Sequence, residues 1–281
     1  MKRSIPSTVT VAAVVGLLAA LAAIFLARER PDAVWSGKVL RVGYAEEYPY
    51  SFRDAAGRVT GESPETARAV LDRLRIKDVR WVLVEFANLI HELERGEIDM
   101  IAAGMFITPQ RSRRIDFSLP TAKVGQGLLV RSGNPKNLHS CADLVKRTDV
   151  VVAVLSGSVE EQGLKSMGVP DARLFRVPDA ATGSAAVKAG RADGLALSGP
   201  TVNLMARDSN GMLESATPFQ GFVQDGEECA GSPAFGFRKR DEALRRAVDE
   251  VLRGFVGSPE HLALVAPFGF TAQDMPDNTA P

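Results

Sequence analysis

Cysteine is nearly absent: 281 residues contain two, Cys141 and Cys229. Histidine is almost as scarce, and His91, His139 and His261 stand apart from one another. No Cys or His pair has the short fixed spacing that a zinc site needs, so no metal is expected. There is no Walker loop and no G-x-S-x-G elbow, and Gly125-Gln126-Gly127 lacks the third glycine of a dinucleotide fingerprint. With the usual cofactor signatures missing, no cofactor is expected. Net charge is missing too. The 34 Lys and Arg balance 34 Asp and Glu, which leaves no basic footprint for nucleic acid. Aromatics make up only 6% of the chain, so a ring outside a core pattern carries information.

A long apolar run occurs in one place. Lys2 and Arg3 precede an uncharged stretch whose 19-residue core, 9–27, is rich in Ala, Val and Leu, and Arg28, Glu29 and Arg30 follow it. That is the design of a secretory leader or of an uncleaved membrane anchor, and residues 1–33 are read as one or the other. Basic residues ahead of the run place the remainder outside the cytoplasm. The expected location is periplasmic or extracytoplasmic, with a membrane attachment through the N-terminal segment if it stays uncleaved. An oxidising compartment also permits a Cys141–Cys229 disulfide, although spacing alone does not establish one.

Beyond the leader, strand and helix patterns alternate. Apolar strands at 39–44, 81–86 and 99–103 alternate with helices at 63–74 and 88–95, the first with Ala67, Val70, Leu71 and Leu74 on one face. The pattern restarts with strands at 127–130, 149–155, 174–177 and 194–197 and the helices between them. Such alternation argues for α/β units built on mostly parallel sheets. Ser132-Gly133-Asn134-Pro135 reads as a break between two units. The expected division is lobe one over 38–131, lobe two over 136–229, a return to lobe one over 233–270, and a frayed tail over 271–281. Two units joined by two crossings describe a hinge protein.

Open α/β sheets place ligands beyond the carboxyl ends of their strands. Glu47 and Tyr50 follow the first strand, Phe86 the second, and Gly104, Phe106 and Arg111 the third. In lobe two, Gly157, Ser158 and Glu160 follow one strand and Ser198 follows another. Thr108 suits a helix N-cap and Pro109 the first helical position, which puts Arg111 in a first turn, against the helix dipole. A cation held there is suited to meet an anion, and its planar fork fits a carboxylate. Residues 156–158 precede a helix whose free N–H groups can hold an anion, although capping by itself accounts for the serines. Tyr50, Phe86 and Phe106 bring three rings to strand ends. One such ring is ordinarily core, but three together suit a diffuse, weakly hydrated cation. With Glu47 added, the set describes a site for a small zwitterion with delocalised positive charge.

The run Asp99-Met-Ile-Ala-Ala-Gly-Met-Phe-Ile-Thr-Pro-Gln-Arg-Ser-Arg-Arg-Ile-Asp-Phe-Ser118 resembles the signature of family 3 periplasmic solute-binding proteins, the receptors of polar amino acid importers. The resemblance covers about residues 38–270. It implies a type II periplasmic binding protein fold, two α/β lobes with a two-strand hinge, and a binding protein rather than an enzyme. It also implies that Arg111 grips a ligand carboxylate, that 156–158 hold it from lobe two, and that a membrane permease of an ABC transporter receives the ligand. Where relatives that bind α-amino acids place a Ser or Thr and an Asp for the ammonium, this chain has Phe106 and Ser198. The segments Gly43-Tyr-Ala-Glu-Glu-Tyr-Pro-Tyr-Ser-Phe52, Val59-Thr-Gly-Glu-Ser-Pro-Glu65, Ala102-Ala-Gly-Met-Phe-Ile-Thr-Pro-Gln-Arg111 and Gly127-Leu-Leu-Val130 resemble the ectoine and hydroxyectoine-binding branch. In that branch an acid, three aromatics and the clamp arginine carry over to Glu47, Tyr50, Phe86, Phe106 and Arg111. Two alternatives stay open: a receptor for another polar amino acid, and a periplasmic dehydratase on the same fold with Glu47 as general acid.

Overall fold

The computed structural model describes residues 38–224, 227–228 and 230–276. The leader expected over 1–33 lies outside the described residues, as does Cys229. Among the described residues no helix is long and apolar enough to cross a membrane.

The first sheet is built on β1 (Leu40–Tyr44), which pairs in parallel with β4 (Val79–Leu83) and β5 (Met100–Ile101). Between them come the short hairpin β2 (Phe52–Arg53) and β3 (Val59–Thr60), then α1 (Glu62–Arg73) and α2 (Leu89–Arg95). Helix α1 turns Ala67, Val70 and Leu71 onto the sheet, the face expected from their spacing. A short helix α3 (Pro109–Ser112) and β6 (Asp116–Phe117) complete the outgoing chain of this lobe.

The second sheet has the order β11-β7-β10-β8-β9. It comprises β7 (Gln126–Arg131), β8 (Val152–Leu155), β9 (Leu174–Val177), β10 (Gly194–Ser198) and β11 (Leu213–Ser215). Strands β10, β8 and β9 are parallel, and β7 runs antiparallel to β10 and β11. Helices α4 (Cys141–Lys146), α5 (Val159–Ser166), α6 (Ala180–Lys188) and α7 (Gly199–Arg207) connect them. All four residues of β8 are buried, which is why this strand reads as a continuous apolar run. A small pair, β12 (Val223–Gln224) with β13 (Glu227–Glu228), precedes the return. There β14 (Gly236–Phe237) enters the first sheet antiparallel between β5 and β6, giving the order β4-β1-β5-β14-β6. Helices α8 (Glu242–Phe255) and α9 (Pro259–Val265) then pack on α1.

The expected lobe boundary at residue 131 is corrected. Strand β7 belongs to the second sheet, so the outgoing chain crosses between β6 and β7. The break at 132–135 is a tight turn inside lobe two, with the Asn134 N–H donating to the Arg131 carbonyl at 3.0 Å. The crossing itself is extended and is held by the returning chain. Val124 and Gly231 exchange two backbone hydrogen bonds of 2.9 and 2.7 Å. The Ile107 N–H reaches the Ser232 carbonyl at 2.9 Å and the Ala234 N–H reaches that of Met105 at 3.1 Å. Backbone pairing satisfies these segments. The tail is corrected as well. Instead of fraying from residue 271, Thr271 and Asp274 form a capping box, and the Lys123 N–H donates to the Asp274 carbonyl at 2.7 Å.

Candidate ligand cleft

The strand ends of both sheets meet at one narrow cleft. Glu47, Tyr50, Phe86, Gly104, Phe106 and Arg111 line it from the first lobe, and Ser158, Glu160 and Ser198 from the second. Gly157 lies at its edge, where its carbonyl accepts from Arg111. All ten residues singled out in the sequence therefore come together. Leu155, Val159 and Leu197 also line the cleft. Strand or helix pattern assigns such residues to a core, and no sequence signal separates them from it.

Local chemistry places each group. Thr108 caps α3, its Oγ1 accepting from the Arg111 N–H at 3.2 Å, with Pro109 at the first helical position. This fixes the Arg111 backbone and sends its side chain inward, where it is 6% exposed. One terminal nitrogen donates to the Phe106 carbonyl at 2.7 Å and the other crosses to the Gly157 carbonyl at 2.9 Å. Its Cζ lies 5.6 Å from the Phe86 ring centre. Burial lowers the Arg111 guanidinium to about 10, opposed by the field of Glu160. It stays charged at neutral pH.

Glu47 is held by a two-bond bridge with Ser51, at 2.7 and 3.0 Å. Its side chain is 6% exposed, and Oε2 has no hydrogen-bond partner among the described residues. Burial, then the fields of Glu160 and Asp179, raise this carboxyl well above its ordinary range. Tyr50 stands edge-on to Phe106 at 6.2 Å and to Phe270 at 5.3 Å between ring centres. Its hydroxyl donates across the cleft to Ser198 Oγ at 3.0 Å. Gly104 allows this packing: its φ is +63°, and a Cβ there would overlap the Tyr50 ring.

In the second lobe Ser158 caps α5, with Oγ accepting from the Glu161 N–H at 3.1 Å. Glu160, 5% exposed, sits in the first turn of that helix. Burial raises its carboxyl, while its own backbone N–H, Ser158 and Arg111 work the other way. Together the cleft presents a cationic fork at one place, buried acids from both lobes, and three aromatic rings. Such a set can hold a small molecule with separated charges and exclude water from it.

Residues 40–269 match the bacterial extracellular solute-binding proteins, family 3. The chain belongs to this family. Over 272 residues it is 34% identical to a probable amino-acid ABC transporter periplasmic-binding protein, y4tE, of Sinorhizobium fredii (strain NBRC 101917 / NGR234), covering 93% of this chain and 90% of that one. Among solved structures, EhuB in complex with hydroxyectoine superposes with a TM-score of 0.79 at 29% identity, over 88% of this chain and 94% of EhuB. The ancestral amino acid-binding protein AncCDT-1, a precursor of cyclohexadienyl dehydratase, does so with a TM-score of 0.74 at 28% identity, over 85% and 99%. The two-lobed architecture of this family 3 member is the type II periplasmic binding protein fold.

Proposed function

We propose that this protein is an extracytoplasmic receptor that closes its lobes on ectoine, hydroxyectoine or a similar small zwitterion and presents it to an ABC transporter permease. The observation that carries the reading is the convergence of Arg111, Glu47 and the rings of Tyr50, Phe86 and Phe106 in one buried cleft. Arg111 takes the ligand carboxylate through its fork. The amidinium lies against the rings and donates to Glu47. Phe106 and Ser198 leave a compact ammonium few partners, and an unpaired buried charge costs several kcal/mol. The hydroxyectoine complex of EhuB supports this ligand class.

A second reading, a receptor for a polar amino acid, draws on one observation: Glu160 is a buried second-lobe acid facing the same cleft. The amino-acid name of the Sinorhizobium relative points the same way. A thermal-shift and calorimetric panel of ectoine, hydroxyectoine, glycine betaine, arginine, histidine and glutamine separates the two. Ectoine or hydroxyectoine at a hundred times its dissociation constant should add about 2.7 kcal/mol of stability. Tight binding of glutamine or histidine with no response to ectoine refutes the first reading. The Cys141–Cys229 bridge belongs to the same proposal, since an exported receptor meets oxidising conditions. Counting thiols in the unfolded, unreduced chain decides it.

A further inference from the structure

Among the described residues, two carboxyl groups and one guanidinium line this cleft. Glu47 comes from lobe one and Glu160 from lobe two, each at least nine-tenths buried. Arg111 spends its terminal nitrogens on the carbonyls of Phe106 and Gly157. The charges acting on Glu47 are both negative, Glu160 and Asp179, and its Oε2 has no partner among the described residues. Glu160 has the better setting for a negative charge. It occupies the first turn of α5, where the helix dipole and backbone N–H groups favour an anion, and it feels Arg111.

We propose that the cleft holds one proton for its two carboxyl groups, on Glu47 before the ligand enters and on Glu160 once a zwitterion is bound. The inference rests on the zwitterion reading above. Charge balance carries it. Before binding, Arg111 is positive, Glu160 negative and Glu47 neutral. After binding, the ligand's cation lies on Glu47 and ionises it. The ligand's carboxylate lies at Arg111 and adds negative charge beside Glu160, which takes up the proton and donates its O–H to that carboxylate. One O–H bond breaks on Glu47 and one forms on Glu160, with no net exchange with solvent. The cleft is neutral in both states, which avoids an unpaired charge in a dry interior.

The other titratable groups nearby each have at least one hydrogen-bond partner of their own. The Tyr50 hydroxyl donates to Ser198 at 3.0 Å. Asp179 caps α6 by accepting from the Thr182 N–H at 2.7 Å. Glu62, which acts on Tyr50, accepts from the Ser63 hydroxyl at 2.6 Å through Oε2, while its buried Oε1 has no partner among the described residues.

Two measurements test this. In the ligand-free protein, carbon-13 resonances of the glutamate carboxyls should show Glu47 neutral and Glu160 ionised at about pH 7, far from the ordinary carboxyl range. Finding both ionised, or the order reversed, overturns the proposal. With ectoine as probe, Glu160→Gln, which imitates the neutral donor, should lose less affinity than Glu160→Ala, which removes it, whereas Glu47→Gln should lose roughly tenfold or more, as expected for one charge-assisted hydrogen bond. Calorimetry in two buffers of different ionisation enthalpy should show almost no proton exchanged. A tenfold loss in Glu160→Gln, or about one proton released per ectoine, overturns it, because Glu160 would then be an ionised partner of the ligand cation. If ectoine does not bind the wild type, the named ligand fails, and the ligand-free titration alone decides where the proton sits.

Discussion

Arg111 is the one cation among the described residues that line the cleft, and its backbone is set by the Thr108 cap and Pro109. Replacing it with lysine keeps a charge and removes the fork. Arg111→Lys should therefore weaken ligand binding about tenfold or more, the loss of a charge-assisted hydrogen bond, and Arg111→Ala should weaken it further. Titration calorimetry with a confirmed ligand reads both, and unchanged affinities would end the clamp assignment. Glu47 makes a prediction about stability. Its folded carboxyl ionises at higher pH than the unfolded one, so the native state binds more protons. Its contribution is fully present below the unfolded value of about 4.3 and is lost as pH rises through the higher folded value. Glu47→Gln should flatten that decline and be more stable than the wild type at about pH 8, measured by denaturant unfolding at several pH values. Much of the site was legible at this scale. A capping Thr, a Pro and an Arg within four residues carry local rules, and strand ends in an α/β pattern point to one place. Phe270, which packs on Tyr50, was not legible, because nothing local marks a ring from the far end of the chain as a neighbour of the cleft.

Helix α9 carries an acid-sensitive contact outside the cleft. His261 is fully buried, its Nδ1 accepts from the Gly257 N–H at 3.2 Å, and Nε2 faces Thr66 Oγ1 at 3.4 Å. Protonation would set a second N–H against that of Gly257, and burial lowers the imidazole to about 4. The unfolded histidine takes its proton near 6.5, so the unfolded state binds more protons below that value. Stability should therefore fall as pH drops from about 6.5 to 4, by up to about 1.4 kcal/mol per pH unit, and His261→Gln should lose that slope. An equal slope in the variant would show that other groups govern the acid limb. Elements were legible where pattern is local, as with the apolar face of α1 and the continuous run of β8. The sheet to which β7 belongs was not. A strand's own residues say that it pairs, and its partners β10 and β11 lie more than sixty residues further along the chain.

Among the described residues, three side-chain hydrogen bonds tie the two lobes directly. Tyr48 donates to Asp208 at 2.9 Å on the rim, Tyr50 donates to Ser198, and Arg111 donates to Gly157. The paired crossings at Val124 and Gly231 are where a hinge would bend. Ligand should lower the radius of gyration in small-angle scattering, and no change at saturation would argue against closure. The rim bond touches no cleft-lining residue, so Tyr48→Phe should raise the dissociation rate roughly two- to tenfold and leave association nearly unchanged, as read by stopped flow. The Arg111–Gly157 bond has a further meaning. The fork that would receive a carboxylate is already occupied by two of the protein's own carbonyls, one from each lobe. Those carbonyls act as a resident competitor whose concentration never varies. The affinity seen from outside is the intrinsic affinity reduced by the fraction of molecules in which the fork is engaged internally. Evolution can then retune the receptor's sensitivity by loosening the loop at Gly157, without altering Arg111, Glu47 or the rings.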